Sequence, residues 1–190
     1  MSGKDMGKKI KSIDINRLKG DAKYIFLNMF VNKIPCWTIR KKLYKSCGMQ
    51  IGAGARIGIG TVVVGPENIT IGKRSVINEF CHLDGRGGLK IGNDTSVSVY
   101  TTIITAGHDK DSEKFRFRAS KTKIGDNVWI GARAIILEGS VIDDFAVIGA
   151  GCVFKGTAKR NEIYIGNKKS CYGNRNIQKN YELDYHPFFR

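Results

Sequence analysis

Proline is scarce, with 3 residues in 190, and histidine is equally scarce at 3. Cysteine numbers 5, at positions 36, 47, 81, 152 and 171. An odd count, with no paired spacing and no adjoining histidine cluster, argues against a disulfide framework and against a zinc site. A reducing cytoplasm fits that usage. No apolar run approaches the ~20 residues of a membrane-spanning helix. The opening stretch, MSGKDMGKKIKSIDIN, is basic but lacks an apolar segment, so no secretory signal is read there. Acidic residues are in deficit: 17 Asp and Glu face 32 Lys and Arg, a net charge of +15. Such a balance serves solubility or attracts a polyanion: nucleic acid, an anionic membrane or a phosphorylated ligand. The charges are not interleaved with aromatics as a base-stacking surface requires, and no nucleic-acid motif occurs. Nucleic acid is therefore not expected as a partner.

Glycine, by contrast, is plentiful at 23 residues. High glycine without proline reads as a fold with many tight turns, not as collagen or a linker. Aliphatic residues recur every six positions. Ile51, Ile57 and Val63 form one set, Ile71, Ile77 and Leu83 a second, and Ile91, Val97 and Ile103 a third. Ile124, Ile130, Ile136, Ile142, Ile148 and Phe154 run on unbroken. A period of six fits neither a helix nor a strand over such lengths. It fits a short strand plus a turn, with one inward side chain per repeat and three strands closing a triangular coil of 18 residues. Two extra residues separate Val63 from Ile71 and Leu83 from Ile91. Between Ile103 and Ile124 lie either three residues beyond a whole coil or a coil mostly looped out.

Residues 1–50 differ. Tyr24, Leu27, Met29, Phe30 and Val31 crowd at helical spacing, Pro35 interrupts, and Trp37, Ile39 and Leu43 follow among Arg40, Lys41, Lys42 and Lys45. Two helices are expected, capping the open end of the solenoid or resting as a basic amphipathic surface on an anionic membrane. Residues 51–167 form the repeat domain, with a polar loop at 105–123. Residues 168–190 lose the period and read as a C-terminal extension.

The repeated aliphatic-Gly register resembles that of the hexapeptide-repeat acyltransferases. TAGHDKDSEKF, then KIGDNVWIGARAIILEGSVIDDFAVIGAGCVFKGTA, then YIGNKK follow the order seen in maltose, galactoside and polysaccharide O-acetyltransferases. DGRGGLKIG is most similar to the polysaccharide branch (colanic acid, capsule and O-antigen). The resemblance implies an all-β solenoid, a left-handed parallel β-helix with an N-terminal helical cap, assembled as a homotrimer with sites between subunits. It implies transfer of acetyl from acetyl-CoA to a sugar hydroxyl in surface polysaccharide biosynthesis, without a metal, by a cytoplasmic protein that is peripheral to the inner face of the membrane in one reading. Two departures fall where CoA is expected: Lys168-Lys169 follow Gly166-Asn167, and Lys155-Gly156 replace a Thr-Lys pair.

Acyl transfer to an alcohol needs a base for the hydroxyl proton, a donor for the oxyanion and a leaving thiolate. His108 stands where the repeat stops and the polar loop begins, and the resemblance makes it the catalytic base. Asp109, Asp111, Glu113 or a backbone carbonyl are candidates to orient it. Asn78 or a backbone N–H is the candidate oxyanion donor. Asn78 and Asp84, each following an inward aliphatic, are implied acceptor-binding residues; both also suit turns. Trp129, Gly131, Ala132 and Ala150 match strands that line a pantetheine groove. Trp129 also reads as a surface or intersubunit aromatic. Lys155, Lys168, Lys169 and Arg175 are the candidate partners of the CoA phosphates. Gly85, Gly87 and Gly88 precede a strand rather than a helix, so they do not read as a nucleotide loop. A three-histidine zinc enzyme of the same fold would place His186 outside the repeats. The reading from another class is a non-catalytic binding or structural subunit.

Overall fold

In the computed structural model, which describes residues 15–109, 111–166 and 173–174, the aliphatic sets become three rows of a parallel β-solenoid. Ile51, Ile71, Ile91, Ile124, Ile142 and Ala158 are successive Cα partners along the first face. Ile57, Ile77, Val97, Ile130, Ile148 and Tyr164 line the second. Val63, Leu83, Ile103, Ile136 and Phe154 line the third. All are buried and belong to one continuous core. Each strand is only two or three residues long, and each pairs with its equivalent one coil away. Burial and parallel hydrogen bonding thus reinforce the same register.

The corners explain the irregular spacing. At the third corner, between the third and first faces, the extra residues after Val63 form a short 3-10 turn, Pro66–Asn68. Those after Leu83 form the turn at Gly85–Gly88. The long interval after Ile103 is a coil looped out at this same corner. It folds back on itself as an antiparallel hairpin, Ala106–His108 against Phe117–Ala119. At the second corner Phe80, Tyr100 and Arg133 occupy the left-handed region, with φ of 56°, 60° and 58°. Their side chains stack outward: Phe80 and Tyr100 rings are 5.3 Å apart and Arg133 lies over Tyr100. At the first corner an Asx ladder ties coils together. Asn93 accepts from Lys73 N, Asp126 from Asn93 N, and Asp144 from Asp126 N.

The N-terminal segment forms helix α1 (Ile15–Ile25), a π turn (Phe26–Phe30), a 3-10 turn (Val31–Lys33) and, after Pro35, helix α2 (Trp37–Ser46). Leu27, Val31 and Tyr44 enter the core. Polar side chains close the open strand edges of the first coil. Asn28 donates to Val63 O and accepts from Val63 N, as a neighbouring strand would. The buried Arg40 guanidinium donates to the carbonyls of Ile34, Pro35 and Ile57. Lys41 donates to Gly52 O. At the other end Gly173–Asn174 pairs antiparallel with Glu162–Tyr164 and ends the parallel ladder. Among the described residues no helix is long and apolar enough to cross a membrane.

Candidate active site

His108 ends the first strand of the hairpin and is exposed. Its Nδ1 lies 2.8 Å from the carbonyl oxygen of Phe115. A carbonyl only accepts, so Nδ1 carries the proton and Nε2 is the basic nitrogen. The Phe115 ring stacks on the imidazole with centroids 3.9 Å apart, and Phe117 meets it edge-on at 6.0 Å. Of the orienting groups considered above, the backbone carbonyl fills the role. Asp109 instead accepts from Asp111 N within the turn.

The hairpin is anchored by groups below it. Thr105, at its stem, is completely buried. Its N–H donates to Asp84 Oδ2, its hydroxyl donates to Asp84 O, and its carbonyl accepts from Ser120 N on the opposite stem. Gly87 N donates to Thr105 Oγ1. A Cβ on Gly87 would stand 2.3 Å from Thr105 O, so only glycine lets the turn pass this close.

Asp84, which the resemblance implied as an acceptor-binding residue, is completely buried. Its Oδ1 accepts from Arg86 N and Nε, and its Oδ2 from Arg86 Nη2 and Thr105 N. Burial pushes this carboxyl up, but the hydrogen bonds from Arg86 and Thr105 outweigh it, and the acid is held below its ordinary range. Both oxygens are committed within the chain, so Asp84 acts on the hairpin stem.

Asn78 stands at the second corner, half-buried, its amide donating to Val97 O. Trp129, on the second face, is 49% exposed and donates from Nε1 to Ser98 Oγ. Ala132 and Ala150 lie at the second corner above Gly131, where a Cβ would come within 2.4 Å of Ala150 N. Lys155 lies at the third corner, paired with Glu138, which also accepts from Arg118 of the hairpin. The hydrogen bond from Lys155 is the main cause that holds the Glu138 carboxyl below its usual value. Within one chain, then, His108, Asp84 and Lys155 gather at the third corner, and Asn78, Trp129, Gly131, Ala132 and Ala150 around the second. Lys168, Lys169, Arg175 and His186 lie outside the described residues.

The family described as bacterial transferase hexapeptide (six repeats) matches residues 121–156. That segment of the chain carries the hexapeptide repeat. It is 24% identical over 157 residues to an Escherichia coli K12 protein named for O-acetyl transfer in lipopolysaccharide biosynthesis, covering 76% of this chain and 79% of the relative. A Schizosaccharomyces pombe protein named as an acetyltransferase is 32% identical over 106 residues, 53% of this chain. The chain spans about half the length of that relative, 50%. Among solved structures, a maltose O-acetyltransferase of Clostridium difficile shares 25% identity at a TM-score of 0.74, covering 86% of this chain and 90% of that one. A Vibrio cholerae hexapeptide-repeat acetyltransferase complexed with acetyl-CoA shares the fold, with a TM-score of 0.77, 18% identity and the same 86% and 90% coverage.

Two features of this site were missed in the sequence. Phe115 and Phe117 bracket the imidazole because the hairpin pairs His108 with Phe117. The alternation of aromatic and basic residues in KFRFRA was the available signal. Arg86 reaches both Asp84 and the Phe117 ring, 5.9 Å from its centroid. No local pattern announced that pairing.

Proposed function

We propose that this protein moves the acetyl group of acetyl-CoA to a sugar hydroxyl of a surface polysaccharide, with His108 as general base. The tautomer of His108 carries the reading. With Nδ1–H fixed on Phe115 O, Nε2 has no hydrogen-bond partner among the described residues and stands on an exposed hairpin as an acceptor. Nε2 takes the hydroxyl proton as the sugar oxygen attacks the thioester carbonyl. The carbonyl electrons move to an oxyanion, which a backbone N–H or the Asn78 amide stabilises. The C–S bond then breaks, the imidazolium returns the proton, and CoA leaves as the thiol. The likeness to the maltose enzyme and to the lipopolysaccharide relative supports this donor and acceptor class. Trp129, Gly131, Ala132 and Ala150 line the pantetheine path in this reading, and Lys155 and Lys168 meet the phosphates.

The acceptor and donor sites are shared between copies. His108 and Asn78 lie at different corners of the prism, so one site that uses both is built from two chains of a homotrimer. The exposed Phe80, Tyr100, Trp129 and Val153 give those contacts an apolar surface. Leu18, Ile25, Phe26, Met29 and Phe30 also remain exposed on the cap, near Lys19, Lys23 and Lys33. The cap thus plugs the solenoid with one set of apolar residues and offers another to an anionic membrane, at its cytoplasmic face.

Release of CoA thiol from acetyl-CoA tests the activity. Thiol release that rises on adding sugar or polysaccharide acceptors is expected. No release with any acceptor, while the protein is folded, would favour a non-catalytic binding or structural subunit.

A further inference from the structure

We infer that a cavity at the third corner, beside the catalytic hairpin, holds the phosphate or diphosphate on which the acceptor sugar is carried. The inference rests on the acetyl-transfer reading above. The cavity measures about 410 Å³, the size class of a small-ligand site, and Arg86, Lys90, Lys121 and the Gly87-Gly88 turn form much of its wall. Among the described residues, neither Lys90 nor Lys121 has a carboxylate partner. Glu67, the acid in the wall, faces Lys23 of α1 at 3.6 Å. Arg86 neutralises Asp84 through Nε and Nη2. Among the described residues the cavity therefore carries two uncompensated cations, Lys90 and Lys121, a demand for an anion that no described carboxylate meets.

Its place in the molecule says which anion. On one side Arg86 leads to Phe117, and Phe117 to His108, through two ring contacts. Lys121 follows Ser120 on the hairpin stem, and Gly87 bonds to Thr105 on the other stem. On the other side Glu67 joins the cavity to α1 and its exposed apolar residues. A sugar whose hydroxyl meets Nε2 would lay a phosphate at its reducing end in the cavity. Nucleoside diphosphate sugars and polyprenyl diphosphate sugars share that chemistry, and the second would also meet the apolar cap.

Calorimetric titration of inorganic pyrophosphate into the full chain tests this, with CoA present at saturation so that the donor's own phosphate site is filled. Saturable binding is expected, weakened by salt. The Lys90→Gln/Lys121→Gln pair should weaken it about fivefold to tenfold, the scale of two exposed charge contacts. Either single change should cost about two- to threefold, and Lys159→Gln, at the first corner, should cost nothing. Absence of binding, or equal binding by the double variant with an unchanged melting curve, overturns the inference. Displacement of pyrophosphate by uridine diphosphate or by farnesyl diphosphate supports it, and the tighter competitor names the carrier; displacement by neither overturns it. Thiol release with an unphosphorylated sugar acceptor should be unchanged in the double variant. Failure of the cavity therefore leaves acetyl transfer intact, and failure of acetyl transfer leaves pyrophosphate binding intact.

Discussion

His108 takes its tautomer from a main-chain carbonyl, so no acidic side chain is needed to aim it. Removing the imidazole should leave the hairpin standing, because its stem is held by Thr105, Asp84 and Gly87 rather than by the ring. For His108→Ala we expect kcat to fall by ~10²–10⁴ with an unchanged thermal transition. Retention of a third of the rate would mean another group takes the proton. Asp84 makes the opposite prediction. Its carboxyl is held below its ordinary value, so its stabilising contribution is whole above the unfolded carboxylate range, about pH 4, and is lost as pH falls through the lowered value. Asp84→Asn should cost about 1–3 kcal/mol at pH 7, and the gap to the parent should narrow below about pH 4. Urea unfolding at pH 7 and pH 3 measures both; a gap of equal size at the two pH values would contradict the assignment.

At the scale of elements, the cap depends on one cation. Arg40 is completely buried, and its guanidinium satisfies three carbonyls where the helices meet the first coil. Arg40→Leu should lower the urea midpoint by the equivalent of about 1–3 kcal/mol without altering the slope, since the carbonyls it leaves are dry. The aliphatic rows were legible in the sequence because a coil repeats one physical demand, an inward side chain every sixth residue. The break at Pro35 was equally legible, since proline cannot extend a helix. The depth of Asp84 was not. It follows an inward leucine as Asn78 follows an inward isoleucine, and only the long-range approach of Thr105 and Arg86 turns it into a buried anchor. Nor could spacing tell a looped-out coil from a slipped register after Ile103. The pairing of Ile103 with Ile136 decides for the loop. The cavity wall was hidden for the same reason: Lys121 is distant in sequence from Arg86 and Lys90 and meets them because that loop returns the chain to one corner.

The whole molecule makes two demands on its surroundings. If the site joins the second corner of one copy to the third corner of another, light scattering at micromolar concentration should give three times the chain mass, and a monomer would refute the shared site. If the cap rests on lipid, sedimentation with vesicles should show binding to anionic membranes at low salt that persists in part at high salt, because inserted apolar residues outlast screened charge. No sedimentation with anionic vesicles even at low salt would leave the helices as a cap alone. The pairing of Asn28 with the backbone of Val63 has a consequence for solubility. A parallel solenoid exposes unpaired strand edges at its ends, and those edges are templates on which another copy can stack. By presenting a side-chain amide where the next strand would dock, Asn28 ends the ladder without offering a further edge. A variant with alanine there would leave the Val63 peptide groups open, and slow growth of end-to-end fibres is the behaviour to look for in storage.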